Sequence, residues 1–261
     1  VIWIGTSGWQ YASWKGLFYP AEVPQTRWLE HYARRFQTQE LNNSFYRLPT
    51  AAAFAQWAER TPGDFVMVVK MSRYLTHIKR LREADEPVQR FMDRARCLGH
   101  KLGPLLVQLP PNLQVERWPE LDHVLTLLGR HRGVRVAVEF RHESWFCEET
   151  YDLLRRHNAA FCLADSPRRN TPVVRTADWG YLRLHEGRAT PRPCYGEQAL
   201  DTWAARLAEV FGPDPDVFVF FNNDPRGCAV RDARLFALAC DRHGLPRTRV
   251  PEAGEVPVSR S

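Results

Sequence analysis

The chain has 261 residues, of which 44% are hydrophobic and 25% charged, enough apolar material for a large buried core. The longest apolar run near the C-terminus, 217–221, falls far short of the about 20 residues a membrane helix needs, so no span is expected. A net charge of +6 is a mild bias towards anionic partners and excludes a nucleic-acid-coating protein. The six cysteines, Cys97, Cys147, Cys162, Cys194, Cys228 and Cys240, form no C-x-x-C pair, so neither a structural zinc site nor a disulfide framework is expected. With no targeting signature at residues 1–5, these features read as a reduced, cytoplasmic protein.

Short apolar runs alternate with longer amphipathic ones along the whole chain. Strands are predicted at 1–5, 38–42, 65–70, 104–109, 134–140, 160–165, 180–185 and 216–222. Helices are predicted at 26–36, 50–60, 87–98, 118–129, 148–157, 197–211 and 229–244. This alternation is that of βαβ units on a parallel sheet, and eight strands in about 250 residues match an α/β fold of the (β/α)8 TIM-barrel type. A doubly wound open sheet is the alternative. No Gly-x-Gly-x-x-Gly follows the first strand, so no nucleotide cofactor is indicated. The barrel is expected to fill residues 1–245 as one domain, with 246–261 a frayed tail.

Each predicted strand turns from apolar to polar at its C-terminal end, which is the reactive end of such barrels. In strand five, Ala137, Glu139 and Arg141 share one face while Val136, Val138 and Phe140 share the other. In strand seven, Arg183 and His185 alternate with Leu182 and Leu184, and in strand two Glu40 and Asn42 are in phase. Lys70, Gln108, Asp165, Asn222 and Asp224 close the remaining strands. Charges gathered on one rim must compensate one another, and such a cluster is a candidate site.

The ordered motifs Gly5-Thr6-Ser7-Gly8-Trp9, Glu40-Leu41-Asn42, Ser44-Phe45-Tyr46-Arg47 and Gln108-Leu109-Pro110-Pro111 resemble the YecE-like family, domain of unknown function 72. The C-terminal half adds Ala137-Val138-Glu139-Phe140-Arg141-His142, Ala164-Asp165, Arg183-Leu184-His185 and Phe221-Asn222-Asn223-Asp224. The resemblance spans nearly the whole chain and implies a TIM barrel, but no reaction. Two positions depart from the family pattern: Gln39 stands where an apolar residue is usual, and Glu186 separates His185 from Gly187.

Three chemistries suit the rim. A divalent-metal phosphoesterase, acting on nucleic acid or a phosphorylated small molecule, would take Mg²⁺, Mn²⁺ or Zn²⁺ on Glu40, Glu139, Asp165, His185 and Asp224. Arg141 and Arg183 would then clamp the phosphate, with His77, Gln108, Asn42, Asn222 and Trp9 as further substrate contacts. A metal-free sugar-phosphate isomerase or lyase would use Lys70 as an amine nucleophile, with Glu139 or Asp165 carrying the proton. A binding module would instead stack bases or sugar rings on the aromatic first loop, Trp9, Tyr11, Trp14, Phe18 and Tyr19, unless that loop is a core-filling plug.

Overall fold

A computed structural model describes residues 1–167, 169–214 and 216–255. Eight parallel strands curl into a nearly closed barrel, confirming a (β/α)8 TIM-type fold. In chain order the strands and flanking helices are β1 (Ile2–Thr6), α1 (Trp28–Arg35), β2 (Thr38–Leu41), α2 (Ala51–Glu59), β3 (Val66–Lys70), α3 (Asp85–Ala95) and β4 (Leu102–Gln108). They continue as α4 (Trp118–Gly129), β5 (Val136–Glu139), α5 (Glu148–Arg156), β6 (Ala160–Ser166), β7 (Gly180–Leu184), α6 (Glu197–Phe211), β8 (Val217–Phe221) and α7 (Cys228–Arg242).

The helices form where apolar periodicity meets good ends. The Thr50 hydroxyl caps α2 by accepting from the Ala53 N–H at 3.1 Å. α5 carries Glu148 and Glu149 in its first turn and Arg155 and Arg156 in its last, both in the sense the helix dipole favours. Among the described residues no helix lies between β6 and β7, as the sequence predicts. Instead the chain folds back on β6, where Thr171 accepts from the Ala164 N–H and Thr176 accepts from the Phe161 N–H.

The ladder runs unbroken from β2 through β3, β4, β5, β6, β7 and β8 to β1. β1 and β2 meet without one. Gly5 lets them approach, because a Cβ there would lie 2.4 Å from the Thr38 carbonyl oxygen. The buried Tyr32 hydroxyl spans the seam, accepting from the Thr6 N–H at 2.9 Å and donating to the Thr38 carbonyl at 3.2 Å. Above it, the Gly8 N–H donates to the Glu40 carbonyl, closing the barrel at its mouth.

Inside, Val68, Leu106, Ala137, Ala160, Cys162, Tyr181, Phe218 and Phe220 fill the lower barrel, and Trp179 plugs its base. The opposite strand faces pack on the helices in one larger core. The first loop is a plug: Trp9, Trp14, Phe18 and Tyr19 are buried in that core, and the Trp14 indole donates to the Asp224 carbonyl at 2.9 Å.

Two expectations are corrected. Cys194 and Cys228 are joined by a disulfide across 34 residues of sequence, so only part of the cysteine set is free. β7 and β8 are neighbours, so the loops that leave them start side by side, a proximity that spacing along the chain cannot reveal. The segment after Leu245, expected to fray, is tied to β1 through Pro246 and Thr248, and Arg249 pairs with Asp64. The rest of that tail, residues 256–261, lies outside the described residues.

Candidate active site at the barrel mouth

Strand alternation decides which polar side chains enter the barrel. Ser7 follows Trp3 and Gly5 inward, Glu40 follows Thr38, Lys70 follows Val68, and Gln108 follows Leu106. Glu139 follows Ala137, and Arg183 follows Tyr181, so the mouth is a layer of polar groups on an apolar barrel floor.

Arg183 is the centre of this layer and is 1% exposed. One guanidinium nitrogen lies 2.7 Å from Glu40 Oε1 and the other 2.6 Å from Glu139 Oε2. Both carboxylates are fully buried. Glu40 also accepts from the Ser7 hydroxyl at 2.7 Å and the Tyr181 hydroxyl at 2.5 Å. Glu139 accepts from the Gln108 amide at 2.9 Å and pairs with Arg141 at 2.5 Å. Burial alone would raise the Glu139 pKa, but the charges of Arg183 and Arg141, with the His185 ring beside it, reverse this and hold it well below the usual carboxylate range.

His185 Nε2 lies 3.3 Å from Glu139 Oε1, and its Nδ1 is 3.0 Å from the Asn222 amide nitrogen. With Nδ1 accepting from Asn222, the ring proton belongs on Nε2, facing Glu139. Burial, followed by the charge of Arg183, lowers the His185 pKa, so the ring is neutral at physiological pH.

Lys70 differs from its neighbours. Its ammonium sits 4.0 Å from the centroid of the Phe45 ring and makes no ion pair among the described residues. Burial, then the positive charge of Arg183, pushes its pKa down to about 8, against the partial opposition of Glu139 and Glu40. Two carboxylates, Glu40 and Glu139, face three cations, Arg183, Arg141 and Lys70, which leaves one positive charge uncompensated. The space above them is a cleft of about 420 Å³, lined by Lys70, Arg141, Arg183, Gln108, Asn42 and Asn222 with Tyr11, Asn43 and Tyr46. The Asn42 side-chain Oδ1 and the Arg141 Nε are buried there without a hydrogen-bond partner among the described residues.

The other predicted site residues lie elsewhere. Asp165 falls on the opposite alternation from Ala160, Cys162 and Ala164, and its carboxylate accepts from the Trp203 indole of α6 at 2.7 Å. Asp224 lies near enough to Tyr11 for its charge to raise the Tyr11 pKa, and it is not among the residues that line the cleft. His77 packs edge-on against Phe45 and takes a 2.8 Å hydrogen bond between its Nδ1 and Thr76, and burial with the nearby Lys70 charge pushes its pKa down to about 4. Trp9 is in the core, stacked edge-to-face on Trp57. Tyr11 was expected only as part of a stacking loop, and Ser7, Asn43 and Tyr181 were not predicted. The inward alternation of Ser7 with Gly5 and of Tyr181 with Arg183 was the available signal.

The five expected metal ligands do not fit a metal ion. Glu40 and Glu139 are engaged by guanidinium groups, Asp165 faces the helices, and Asp224 is outside the cleft. Among the described residues, no three His, Cys, Asp or Glu side chains form a ligand set.

The family described as "Protein of unknown function DUF72" matches residues 3–254. The chain is 30% identical over 148 residues to UPF0759 protein YecE of Escherichia coli K12, a match that spans 57% of this chain and about half, 51%, of that protein. It is 25% identical to UPF0759 protein YunF of Bacillus subtilis over 90% of this chain and 93% of that one. A DUF72 family protein of Thermotoga maritima superposes with a TM-score of 0.77 at 30% identity, covering 92% of this chain and 99% of that one. With the family match covering the barrel from β1 to beyond α7, the chain belongs to the DUF72 family.

Proposed function

We propose that the mouth is the active site of a metal-independent enzyme acting on a small anionic carbonyl compound of the sugar-phosphate class, an isomerase or lyase, with Lys70 as the reacting amine. The observation that carries this reading is the state of Lys70: buried at the cleft floor, unpaired among the described residues, and pushed down to about 8. At pH 7.5 a lysine with that pKa is neutral in about a quarter of molecules, against roughly one in a thousand for an ordinary lysine. Free amine is the nucleophilic form.

Arg141, whose Nε has no hydrogen-bond partner among the described residues, supports an anionic substrate as its anchor. The cleft volume is that of a small-molecule site. The Lys70 amine would attack the carbonyl carbon, and the carbonyl oxygen would leave as water after taking up protons, leaving a protonated imine on Nζ. His185, neutral and held by Glu139 and Asn222, would carry the proton.

The test is borohydride trapping with a panel of sugar phosphates and oxo acids. Hydride addition to the imine carbon gives a stable secondary amine, and peptide mass mapping is expected to place the adduct on Lys70. Lys70→Met is expected to abolish it. No adduct with any member of the panel would overturn the reading.

A further inference from the structure

A second cleft, of about 340 Å³, opens on the far side of the helical turn Asn43–Tyr46. Its floor is apolar, with Met71, Leu75 and Phe91 each 1% exposed. Its rim carries Arg47, Arg90 and Arg94 and no acidic side chain. Arg90 is paired with Glu86, and Arg94 donates to the Leu48 and Pro49 carbonyls. The Arg47 side chain has no hydrogen-bond or ion-pair partner among the described residues, and the residue is exposed.

The two clefts adjoin at one shared residue. Tyr46, 73% exposed, lines both and stands as the ridge between them. Lys70 lines the first and Met71, the next residue, lines the second, their side chains on opposite faces of the strand end, so a ligand that reaches both must cross over Tyr46. Tyr46 and Tyr74, 41% exposed, offer aromatic walls above an apolar base.

We infer that the substrate is bipartite: its anionic carbonyl end lies at Lys70, and a ring-bearing apolar portion with a second negative charge fills the neighbouring cleft. The inference rests on the reading of the charged cleft as the substrate site, and it adds the chemical class of the rest of the molecule. The apolar floor would take the ring, and Arg47, free of other duties, would meet its charge.

Three probes separate the parts: inorganic phosphate, phenyl phosphate and 4-carboxyphenyl phosphate, each titrated calorimetrically against the whole chain. Phenyl phosphate is expected to bind about tenfold tighter than inorganic phosphate, as burial of one ring allows. The carboxylated probe is expected to bind tighter again, and Arg47→Glu should remove that last gain. Ser72→Phe, which fills the second cleft, should erase the gain from the ring while leaving phosphate affinity within about twofold. Phenyl phosphate binding no tighter than phosphate, or a gain that survives both substitutions, would overturn the inference. Failure of phosphate itself to bind, or binding indifferent to Lys70→Met, would remove the charged-cleft reading and this inference with it.

Discussion

Arg183 Nη1 lies 2.6 Å from Glu139 Oε2, and both side chains are closed to solvent. The same guanidinium holds Glu40 on its other side at 2.7 Å. A buried pair of this kind stabilises weakly as a whole, yet removing one partner strands the other charges in a low dielectric. Arg183→Met is therefore expected to cost about 3–5 kcal/mol at pH 7.5. The loss should shrink at pH 5, where Glu139, still buried but relieved of the guanidinium, can take up a proton. Urea unfolding at the two pH values checks both statements, and an equal loss at each would show that packing, rather than charge, is what Arg183 supplies.

Lys70 is expected to lower the stability of the fold. Its pKa falls from 10.5 to about 8 on folding. Below pH 8 it is charged in both states and the full burial penalty applies. Between pH 8 and 10.5 the folded protein has released the proton while the unfolded chain keeps it, so stability rises with pH across that window. The shift corresponds to about 3 kcal/mol. Lys70→Met should gain stability of that order at pH 7 and lose the rise, as thermal melts across the window would report. A variant that is inactive yet more stable is the signature of a functional residue rather than a structural one.

Asp232 makes the opposite pH dependence. This residue of α7 is buried and accepts at 2.7 Å from both the Tyr195 N–H and the Asn223 amide, so it clasps the loops that follow β7 and β8. Burial pushes its pKa up to about 7, although these donors and Arg231 pull it down. The folded protein keeps the proton between pH 3.8 and about 7 and the unfolded chain does not, so this contribution to stability is lost as pH rises through that range. Asp232→Asn keeps an acceptor for both donors and removes the titration. It should match the wild type near pH 4 and exceed it by up to an order of 4 kcal/mol above pH 7.

Gln39 is fully buried on the helix-facing side of β2, and neither amide atom has a hydrogen-bond partner among the described residues. A polar group left in that state costs about 1–3 kcal/mol. Gln39→Leu is expected to raise the unfolding free energy by a similar amount without changing phosphate binding in the cleft. A loss of stability would mean that the amide has a partner in solution.

The barrel was legible because each strand is a short apolar run and the helices between them keep a 3.6-residue period. The inward set Glu139, Arg141, Arg183 and His185 was legible from alternation alone. Asp165 was misplaced because the change from apolar to polar at the end of β6 was read without its alternation, which runs through Ala160, Cys162 and Ala164. Trp9 looked like a binding residue because a plug loop and a stacking platform have the same composition. The pairing of Glu40 and Glu139 through one arginine could not be read either. β2, β5 and β7 are far apart in sequence, and only closure of the barrel brings their ends onto one guanidinium.

The proposed chemistry depends most directly on the protonation of one amine, that of Lys70. The chain has four lysines, Lys15, Lys70, Lys79 and Lys101, so an NMR titration of ¹³C,¹⁵N-labelled lysine side chains gives four resolvable curves. Lys70→Met assigns the one that matters. A Lys70 midpoint near 8 is the predicted result. A midpoint above 10 would mean an ordinary, fully protonated ammonium at neutral pH, and Lys70 would then be an anion-binding cation and not a nucleophile.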